Sequence, residues 1–285
     1  MYNNQKRRVK ILQLQQKLVT FLMYIIDLHT HIYPENIAKK ATESVKDFYH
    51  LGIDGMDGTS AMLLERGKKA GISKFVVLPV SIKPDRVQSI NNFILQQTAL
   101  HDEFIGFGTL HAGMDNIAYE AEWIADQGLH GIKMHPDSQR FNIDDPRLFP
   151  AYEAIQGKIP VILHTGDTRY PFSHPSRVKT ILKEFPKLEV IAAHFGGYSM
   201  YETAYDILKD TDRCIMDISS SLMLMPEGVA EKYIRAYGVE RMAYGTDYPM
   251  WDPMMEVPRF LSLKLTDSEF EQIAHKTVER FLKLK

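Results

Sequence analysis

The stretch PVILHTGDTRYPFSHPSRVKTILKEFPKLEVIAAHFGG, residues 160–197, reads as a strand, a helix and a second strand. Pro160–His164 and Glu189–His194 are short apolar runs, typical of parallel strands that are buried on both faces. The helix between them is predicted to begin at a serine cap near Ser173 and to stop at Pro186. Both strands end in a histidine. The stretch therefore predicts a βαβ unit with polar side chains at the carboxyl ends of its strands.

The same alternation of strand and helix recurs along the 285 residues. Six further strands are predicted at Tyr24–His31, Phe75–Val80, Phe104–Ala112, His130–His135, Arg213–Ile218 and Met242–Gly245. The other helices are predicted around Ile37–Tyr49, Ser60–Ala70, from Pro84, over 116–128, Arg147–Gln156, Met200–Lys209, over 226–238, Met255–Leu263 and Ser268–Leu282. Eight strands, each followed by helical sequence, predict an α/β fold of the (β/α)8 TIM-barrel type with one catalytic domain over residues 23–285.

The first 22 residues, MYNNQKRRVKILQLQQKLVTFL, superficially resemble a signal peptide, with a basic cluster before apolar residues. However, glutamines and Lys17 interrupt the apolar run, and no small-residue cleavage site follows. A spanning helix would need about 20 nearly uninterrupted apolar residues. Met23 stands just before the first strand as a natural start. We therefore expect residues 1–22 to be a dispensable extension.

Composition restricts the partners of the chain. The formal charge of -2 and the pI near 6.6 show no basic excess, so we expect no nucleic acid as a partner. Cys214 is the single cysteine and cannot form an internal disulfide, which suits a reducing cytoplasm. We expect a cytoplasmic homodimer that acts on a small molecule and does not associate with membranes.

Candidate metal ligands stand at the ends of three predicted strands. His29 and His31 lie two residues apart, so both side chains are expected on one face, with Asp27 deeper on that face. His164 and Asp247 close two other strands. Singly, each has a plain structural interpretation, a core histidine or a turn-forming aspartate. Together they predict a Zn²⁺-like ion held by three imidazoles and one carboxylate, with a position left open for water.

His194 ends the sixth strand and has two interpretations. It is either a further ligand or a non-ligating base that orients the attacking water. Because four other ligands already fill most of a zinc-like coordination sphere, we favour the base.

These motifs together resemble the amidohydrolase superfamily, in the branch related to aminocarboxymuconate semialdehyde decarboxylase. DLHTHIYP, GIKMHP, the long stretch 164–197 and YGTDYP match that branch in wording and order, from about residue 24 onward. The resemblance implies a distorted TIM barrel with a divalent metal, commonly zinc. It implies His29, His31, His164 and Asp247 as ligands and His194 as the water-activating residue.

Lys133 complicates the metal count. In two-metal members of the superfamily, a lysine at the end of the fourth strand is carboxylated and bridges two ions. Lys133 in GIKMHP occupies a comparable place, with His135 two residues further on the same face. We favour an unmodified amine that contacts the substrate, and keep the carbamate with a second metal, and a simple ion pair, as alternatives.

Weaker candidates follow the same strand ends. Arg169 and Tyr170 lie in the loop after His164, where they could bind a substrate carboxylate, as could His135. His174 is expected to shape the start of its helix. Residues that could line the pocket are His111, Asp137, Arg140, Tyr198 and Trp251, whereas His50, His101, His130 and His275 are expected to be structural.

The first functional hypothesis is a hydrolase in which a metal-activated hydroxide attacks a lactone, ester or amide carbonyl. Lys133 or the metal would stabilise the oxyanion, and Asp247 and His194 would transfer the proton. The alternative is a non-oxidative decarboxylase, or a hydratase, of a small unsaturated or aromatic acid with the same metal and His194. A non-catalytic barrel with a structural metal is the third hypothesis, and an open coordination position argues against it.

Overall fold

The computed structural model describes residues 24–51 and 56–284, and its strands run parallel in two hydrogen-bonded groups. The first group has the order β1 (Ile26–Thr30), β2 (Lys74–Val77) and β3 (Phe104–Gly106). The second has the order β4 (Gly108–Thr109), β5 (Ile132–Met134), β6 (Val161–Leu163), β7 (Val190–Ala192), β8 (Cys214–Asp217) and β9 (Met242–Ala243).

Backbone hydrogen bonds join the two groups into a ring. Phe107 alone separates β3 from β4, and its N–H donates to the carbonyl of Val77 at 3.1 Å. At the other seam, the N–H of Leu28 donates to the carbonyl of Tyr244 at 2.9 Å, and that of His31 to Tyr248 at 2.7 Å. The predicted third strand is thus split in two, and the (β/α)8 barrel is confirmed.

The helices lie between the strands as the sequence predicts, with small shifts of their ends. They are α1 (Glu35–Tyr49), α2 (Ser60–Ala70), α3 (Val87–Leu100), α4 (Ile117–Asp126), α5 (Pro136–Gln139), α6 (Phe149–Ile155), α7 (Pro175–Glu184), α8 (Tyr201–Leu208), α9 (Val229–Tyr237), α10 (Pro253–Leu261), α11 (Asp267–Glu271) and α12 (Thr277–Phe281). Short 3₁₀ turns occupy Pro84–Arg86, Pro146–Leu148 and Val239–Arg241, and a π-helical turn, Gln272–Lys276, joins α11 to α12. The short helix α5 was not predicted.

The cap of α7 differs from the sequence prediction. The N-cap is His174 and not Ser173, because the His174 side chain accepts a hydrogen bond from the N–H of Ser176. Pro175 follows at the first helical position, where its fixed φ and missing N–H cost nothing. The role predicted for His174, shaping the start of the helix, is what the structure shows.

Apolar side chains from all around the ring fill the barrel. This apolar layer comprises Ile26, Leu28, Val76, Leu78, Ile105, Phe107, Ile162, Ile191, Ile215 and Ala243, and Val278, Phe281 and Leu282 pack against it from the C-terminal region. Its members are buried, and each large aliphatic or aromatic side chain contributes roughly 1.5–3 kcal/mol by leaving water. A second, larger apolar cluster lies between the strands and the surrounding helices. The barrel interior is therefore a packed core, and functional groups are confined to the ends of the strands.

Some sequence predictions fall on residues that the structure leaves undescribed. The extension predicted at residues 1–22 lies outside the described residues, as do positions 52–55 of the predicted GIDGMDG turn. Among the helices of 24–51 and 56–284, none combines the length and the apolar character that a bilayer crossing requires.

Candidate metal centre

The end of β1 carries two histidines whose Nδ1 atoms already have hydrogen-bond partners. Nδ1 of His29 lies 2.9 Å from Oδ2 of Asp217, and Nδ1 of His31 lies 2.6 Å from the carbonyl oxygen of Leu78. A carboxylate and a carbonyl only accept hydrogen bonds, so each Nδ1 carries the proton and each Nε2 keeps its lone pair. Partners of this kind fix the tautomer and the ring direction of metal-ligating histidines.

Asp247 closes the group from the other side of the barrel seam. Its Oδ1 lies 3.5 Å from Nε2 of His29 and 3.4 Å from Nε2 of His31. Its Oδ2 accepts a short hydrogen bond from Ser220, and its N–H donates to the carbonyl of His29 at 2.7 Å. Although burial acts to raise the pKa of Asp247, the neighbouring His29 and His31 hold it well below its usual range. The carboxylate is therefore ionised.

These three side chains fit a divalent cation. Their donor atoms lie within 4.8 Å of one another, and the set of two imidazoles and one carboxylate suits Zn²⁺ or Mn²⁺. Two imidazole nitrogens that keep their lone pairs and an ionised oxygen, all facing one point in a buried site, are an arrangement that a cation stabilises. The residues present thus fit a divalent metal ion.

Asp27 does not point at the imidazoles as the spacing predicts. Its carboxylate accepts the N–H of His29 at 3.1 Å and the N–H and hydroxyl of Thr246 at 2.9 and 2.6 Å. The pairing of β1 with β2 shifts register between Asp27 and Thr30, which interrupts the simple alternation of side chains. Burial raises the pKa of Asp27 to about 7. Asp27 therefore ties the end of β1 to the loop that follows β9, and it does not support a metal-ligating imidazole ring.

Asp217, at the end of β8, was missed by the sequence analysis and connects two histidines of the site. Besides its contact with His29, its Oδ1 accepts the N–H groups of His194 and Ser219 at 3.0 and 3.1 Å. Burial opposes ionisation, but His29, the nearby His194 and the hydroxyl of Ser219 hold the pKa of Asp217 well below its usual range. The available signal was a carboxylate that closes the apolar run CIMD, as the predicted ligands close their own strands.

His164 lies beside His194 and not in the group of His29, His31 and Asp247. Nδ1 of His164 is 3.1 Å from Nε2 of His194. Nδ1 of His194 lies 2.9 Å from the hydroxyl and 3.1 Å from the carbonyl of Ser219. His194 adopts a left-handed backbone, with φ of 61°, and its ring stacks on that of His29 at 5.0 Å between centroids. The structure thus groups three of the four predicted ligands and pairs the fourth with the predicted base.

Lys133 is fully buried at the end of β5. Its Nζ lies 3.0 Å from Nε2 of His29, in the region where the donor atoms of the proposed ligands converge. Burial lowers the pKa of Lys133 to about 8, with Asp247 and Asp217 acting in the opposite sense. The amine is therefore placed where it can contact either an anionic substrate or carbon dioxide.

The predicted substrate-binding residues lie together beside the histidines. The ring of His135 stacks on that of His164 at 4.1 Å between centroids and 7° between planes. Arg169 pairs with Asp167 at 2.6 Å and donates to the carbonyl of Phe48 at 2.7 Å, so its fork is already engaged. Tyr170 stacks on Phe48 at 5.5 Å.

Aromatic side chains form a wall along this side of the site. We use the term aromatic wall for Phe48, Tyr49, Tyr170 and Tyr198. Tyr198 lies 5.6 Å from the rings of both His164 and His194, and Tyr49 lies 5.3 Å from Tyr198. The C-terminal end of α1 supplies Phe48 and Tyr49, which sequence reasoning missed because a helix end far from its strand gives no signal of where it lies.

The remaining predicted pocket residues are dispersed. Trp251 donates to the hydroxyl of Ser220 at 2.8 Å, and Arg140 lies 5.0 Å over the ring of Tyr170, so both border the site. Asp137 is buried behind His164, with its Oδ2 3.7 Å from Nε2 of that histidine. His111 packs edge-on against Phe141. Histidines that were expected to be structural lie elsewhere: His50 at the end of α1, His101 after α3, His130 before β5 and His275 in the π-helical turn.

Comparison with solved structures places this fold among known barrels. An uncharacterized TIM-barrel protein from Bordetella bronchiseptica superimposes with a TM-score of 0.76 at 20% identity, over 92% of this chain and 99% of that one. The 5-carboxyvanillate decarboxylase of Novosphingobium aromaticivorans, solved with manganese, gives 0.73 at 14% identity, over 93% and 99%. A dihydroxybenzoic acid decarboxylase from Polaromonas, also with manganese, gives 0.68 at 16% identity, over 92% and 98%. At these identities the likeness shows the fold.

The sequence itself supplies the family. The family described as Amidohydrolase matches residues 26–284, which is nearly the whole described barrel. The match begins at β1, which carries His29 and His31, and ends beyond α12. This protein therefore belongs to the amidohydrolase family and is an enzyme of that superfamily.

Proposed function

We propose that the protein is a metal-dependent, non-oxidative decarboxylase of a small aromatic or unsaturated carboxylic acid. The observation that carries the proposal is the aromatic wall beside a buried group of histidines, aspartates and one lysine, which suits a flat, anionic substrate. Two of the similar solved barrels are decarboxylases of aromatic acids. The hydrolase that the sequence analysis placed first thus becomes the alternative.

Metal binding would fall to the group that the structure brings together. We propose His29, His31 and Asp247 as ligands of one divalent ion, with His164 as the fourth ligand predicted from the sequence. Zinc follows from the donor chemistry and manganese from the two solved decarboxylases, and metal analysis of the purified protein distinguishes them. When bound, the ion would bind substrate oxygen atoms and withdraw electrons from the carbon that loses carbon dioxide.

The chain's own residues account for the remaining requirements of decarboxylation. The bond between the carboxyl carbon and the substrate carbon breaks, its electron pair stays on that carbon, and the carbon then takes up one proton. His194 is the proposed proton donor, because its ring faces the site and Asp217 and Ser219 fix its position. A positioned group of this kind contributes about 10²–10⁴-fold. Lys133 would orient the anionic substrate in a site that excludes water.

The aromatic wall would hold the substrate ring. Offset stacking of aromatic rings contributes about 0.5–1.5 kcal/mol beyond area burial. Tyr170 and His135 keep the substrate-binding role predicted for them. The carboxylate-binding role predicted for Arg169 would require its pair with Asp167 to open, so we propose that Arg169 mainly holds Phe48 and Tyr170 in place.

A paired assay separates decarboxylation from hydrolysis. The metal-loaded protein is incubated in D₂O with 5-carboxyvanillate or a dihydroxybenzoate, and carbon dioxide release and deuterium in the product are measured. Decarboxylation predicts one deuterium at the carbon that carried the carboxyl group, and no product after chelation. Ring opening of lactones, without carbon dioxide from any tested acid, would instead establish the hydrolase.

Three further predictions from the sequence remain proposals. A carboxylated Lys133 with a second ion between His164 and His194 is the alternative metal arrangement, and their facing nitrogens at 3.1 Å are compatible with it. We also retain the homodimer and the cytoplasmic location. Metal stoichiometry, sedimentation and fractionation test them in turn.

A further inference from the structure

We propose that Asp137 and Tyr49 are positioning residues, which hold His164 in the tautomer that keeps its proton on Nε2 and presents the Nδ1 lone pair to the site. This inference deepens the proposed function, because what the lone pair serves depends on His164 acting as a ligand. The tautomer itself is a property of the chain and requires neither substrate nor metal.

One hydrogen bond to His135 has a fixed direction. The backbone N–H of Ser138 donates to Nδ1 of His135, at the start of α5. Because Nδ1 accepts this hydrogen bond it carries no proton, so the ring of His135 is neutral. A neutral imidazole that accepts at Nδ1 must carry its proton on Nε2. His135 therefore donates from Nε2 to the hydroxyl oxygen of Tyr49, 2.6 Å away.

The hydroxyl of Tyr49 passes this direction on. Because its oxygen accepts from His135, its own proton is available to the other neighbour, Nδ1 of His164, at 3.4 Å. Accepting there leaves His164 with its single proton on Nε2. That nitrogen faces away from His194 and toward Asp137.

Asp137 is the last member of this chain of hydrogen bonds. Its two oxygens and Nε2 of His164 are buried, and among residues 24–51 and 56–284 none of the three makes a hydrogen bond of normal length and angle, although Ser173 lies beside the carboxylate. Oδ2 and Nε2 lie 3.7 Å apart, slightly beyond hydrogen-bond length, and a small closure satisfies both. A buried acceptor and a buried donor that face each other in this way stabilise the Nε2–H tautomer.

This chain of hydrogen bonds is needed because the opposite tautomer of His164 could form a competing hydrogen bond with His194. Nδ1 of His194 lies 3.1 Å from the carbonyl of Ser219, which can only accept, so Nε2 of His194 also keeps its lone pair. A His164 protonated on Nδ1 would donate to that lone pair across 3.1 Å and close the site. Asp137 and Tyr49 oppose this closure, so that Nδ1 of His164 stays available to a cation and Nε2 of His194 stays free to take up the proton that it would donate.

Nitrogen NMR of the metal-free protein tests the tautomer directly. Ring nitrogens of His164 are assigned by difference with His164→Gln, and we expect the proton on Nε2. Asp137→Asn should move a substantial fraction of that proton to Nδ1, and Tyr49→Phe should do so to a smaller extent. The matched controls are Asp144→Asn, which removes a carboxylate paired with Arg177, and Tyr205→Phe, which alters a tyrosine on α8; neither should change the spectrum of His164.

Metal affinity provides the second readout. Asp137→Asn should weaken binding of Zn²⁺ or Mn²⁺ by about 10–100-fold, the usual effect of removing a partner of a metal ligand. In a His164→Ala background the same substitution should cause no further loss, because Asp137 acts through that ring. Tyr49→Phe keeps every carbon atom and tests the chain even if Asp137→Asn folds poorly.

Several results would overturn the inference. A wild-type His164 protonated on Nδ1, or an unchanged spectrum in both variants, contradicts the tautomer. An equal loss of affinity with and without His164 shows that Asp137 acts elsewhere. A cation found between Asp137, Asp167 and Nε2 of His164 excludes the proton from that nitrogen. Loss of decarboxylase activity alone decides only the proposed function, because none of these readouts involves substrate.

Discussion

The apolar layer and the polar residues above it are built from the same strands, but burial affects their free energy in opposite ways. We call these polar residues the rim: His29, His31, Lys133, His164, His194, Asp217 and Asp247. Ile162 in β6 belongs to the layer, and His164, two residues later, belongs to the rim; Ile215 and Asp217 repeat this relation in β8. In the layer, burial itself stabilises the fold. In the rim, each buried polar group costs free energy unless a partner offsets the loss of water.

The difference teaches that a barrel can change its chemistry without changing its core. Aspartates and serines that hydrogen-bond the histidines reduce the cost of burying the rim, and Lys133 adds a buried amine to it. The apolar layer thus stabilises the fold, whereas the buried polar groups of the rim lower its stability. Substitutions at the two levels should therefore separate folding from function.

The largest separation is expected for His29→Ala. Removing this imidazole takes away one proposed ligand and the partner of Asp217, so metal affinity should fall by more than about 100-fold, which exceeds the usual effect of removing a residue that only hydrogen-bonds a ligand. The barrel should remain folded, because the layer is untouched. Titration of the metal against a competing chelator, with circular dichroism, measures both.

His101→Ala, which removes a histidine outside the site, serves as the control for this change. Should His29→Ala bind metal as tightly as the wild type, the proposed ligand set would be wrong.

His194→Asn should lose turnover without losing metal. The amide keeps a polar group of similar reach but cannot carry the proton, so the turnover should fall by about 10²–10⁴-fold. Bound metal, counted by atomic absorption, should stay near the wild-type level. Loss of most of the metal would make His194 a ligand and would favour the arrangement with two ions.

Ile191→Ala reverses the pattern within the layer. This side chain is fully buried among the other strand residues, and truncation should lower the free energy of unfolding by about 2–5 kcal/mol. Activity per folded molecule and metal affinity should be unchanged at low temperature. Denaturant titration measures the free energy of unfolding. If metal affinity and activity per folded molecule also fell, the layer and the rim would be energetically coupled.

Lys133→Met should stabilise the fold while it removes activity. Below its lowered pKa the buried amine is charged, and burying that charge costs free energy. Methionine removes this cost, which is at most about 3 kcal/mol. In the wild type the unfolded chain binds more protons between pH 8 and 10.5, so wild-type stability rises with pH in that window.

The advantage of methionine should accordingly be fully present below pH 8 and shrink as the pH approaches 10.5. Melting temperatures of both proteins at pH 7 and pH 10 test this. A difference that grows with pH would show that the amine is stabilised in the fold, for example as a carbamate.

Sequence reasoning predicted the layer better than the rim. Alternating strands and helices, and imidazoles at strand ends, are local patterns, so the barrel and the positions of His29, His31 and Asp247 could be predicted from them. Asp217 and Tyr49 could not, since their roles depend on contacts with residues 188 and 115 positions away. The register shift in β1 was also hidden, because the sequence of a bulged strand alternates like any other.

The smallest effect is expected from removing residues 1–22. The seam of the barrel at β1 is complete without them: the carbonyl of Ile25 accepts hydrogen bonds from Ser73 and Lys74, and the N–H of Leu28 donates to Tyr244. Tyr24, before the strand, is already exposed. Among residues 24–51 and 56–284, the hydrogen bonds of this seam need no partner from the extension, so a chain that begins at Met23 should change the free energy of unfolding by less than about 0.5 kcal/mol. It should also bind metal with unchanged affinity. A larger destabilisation with normal metal binding would place the segment against the outer helices, whereas loss of metal would show that it reaches the rim.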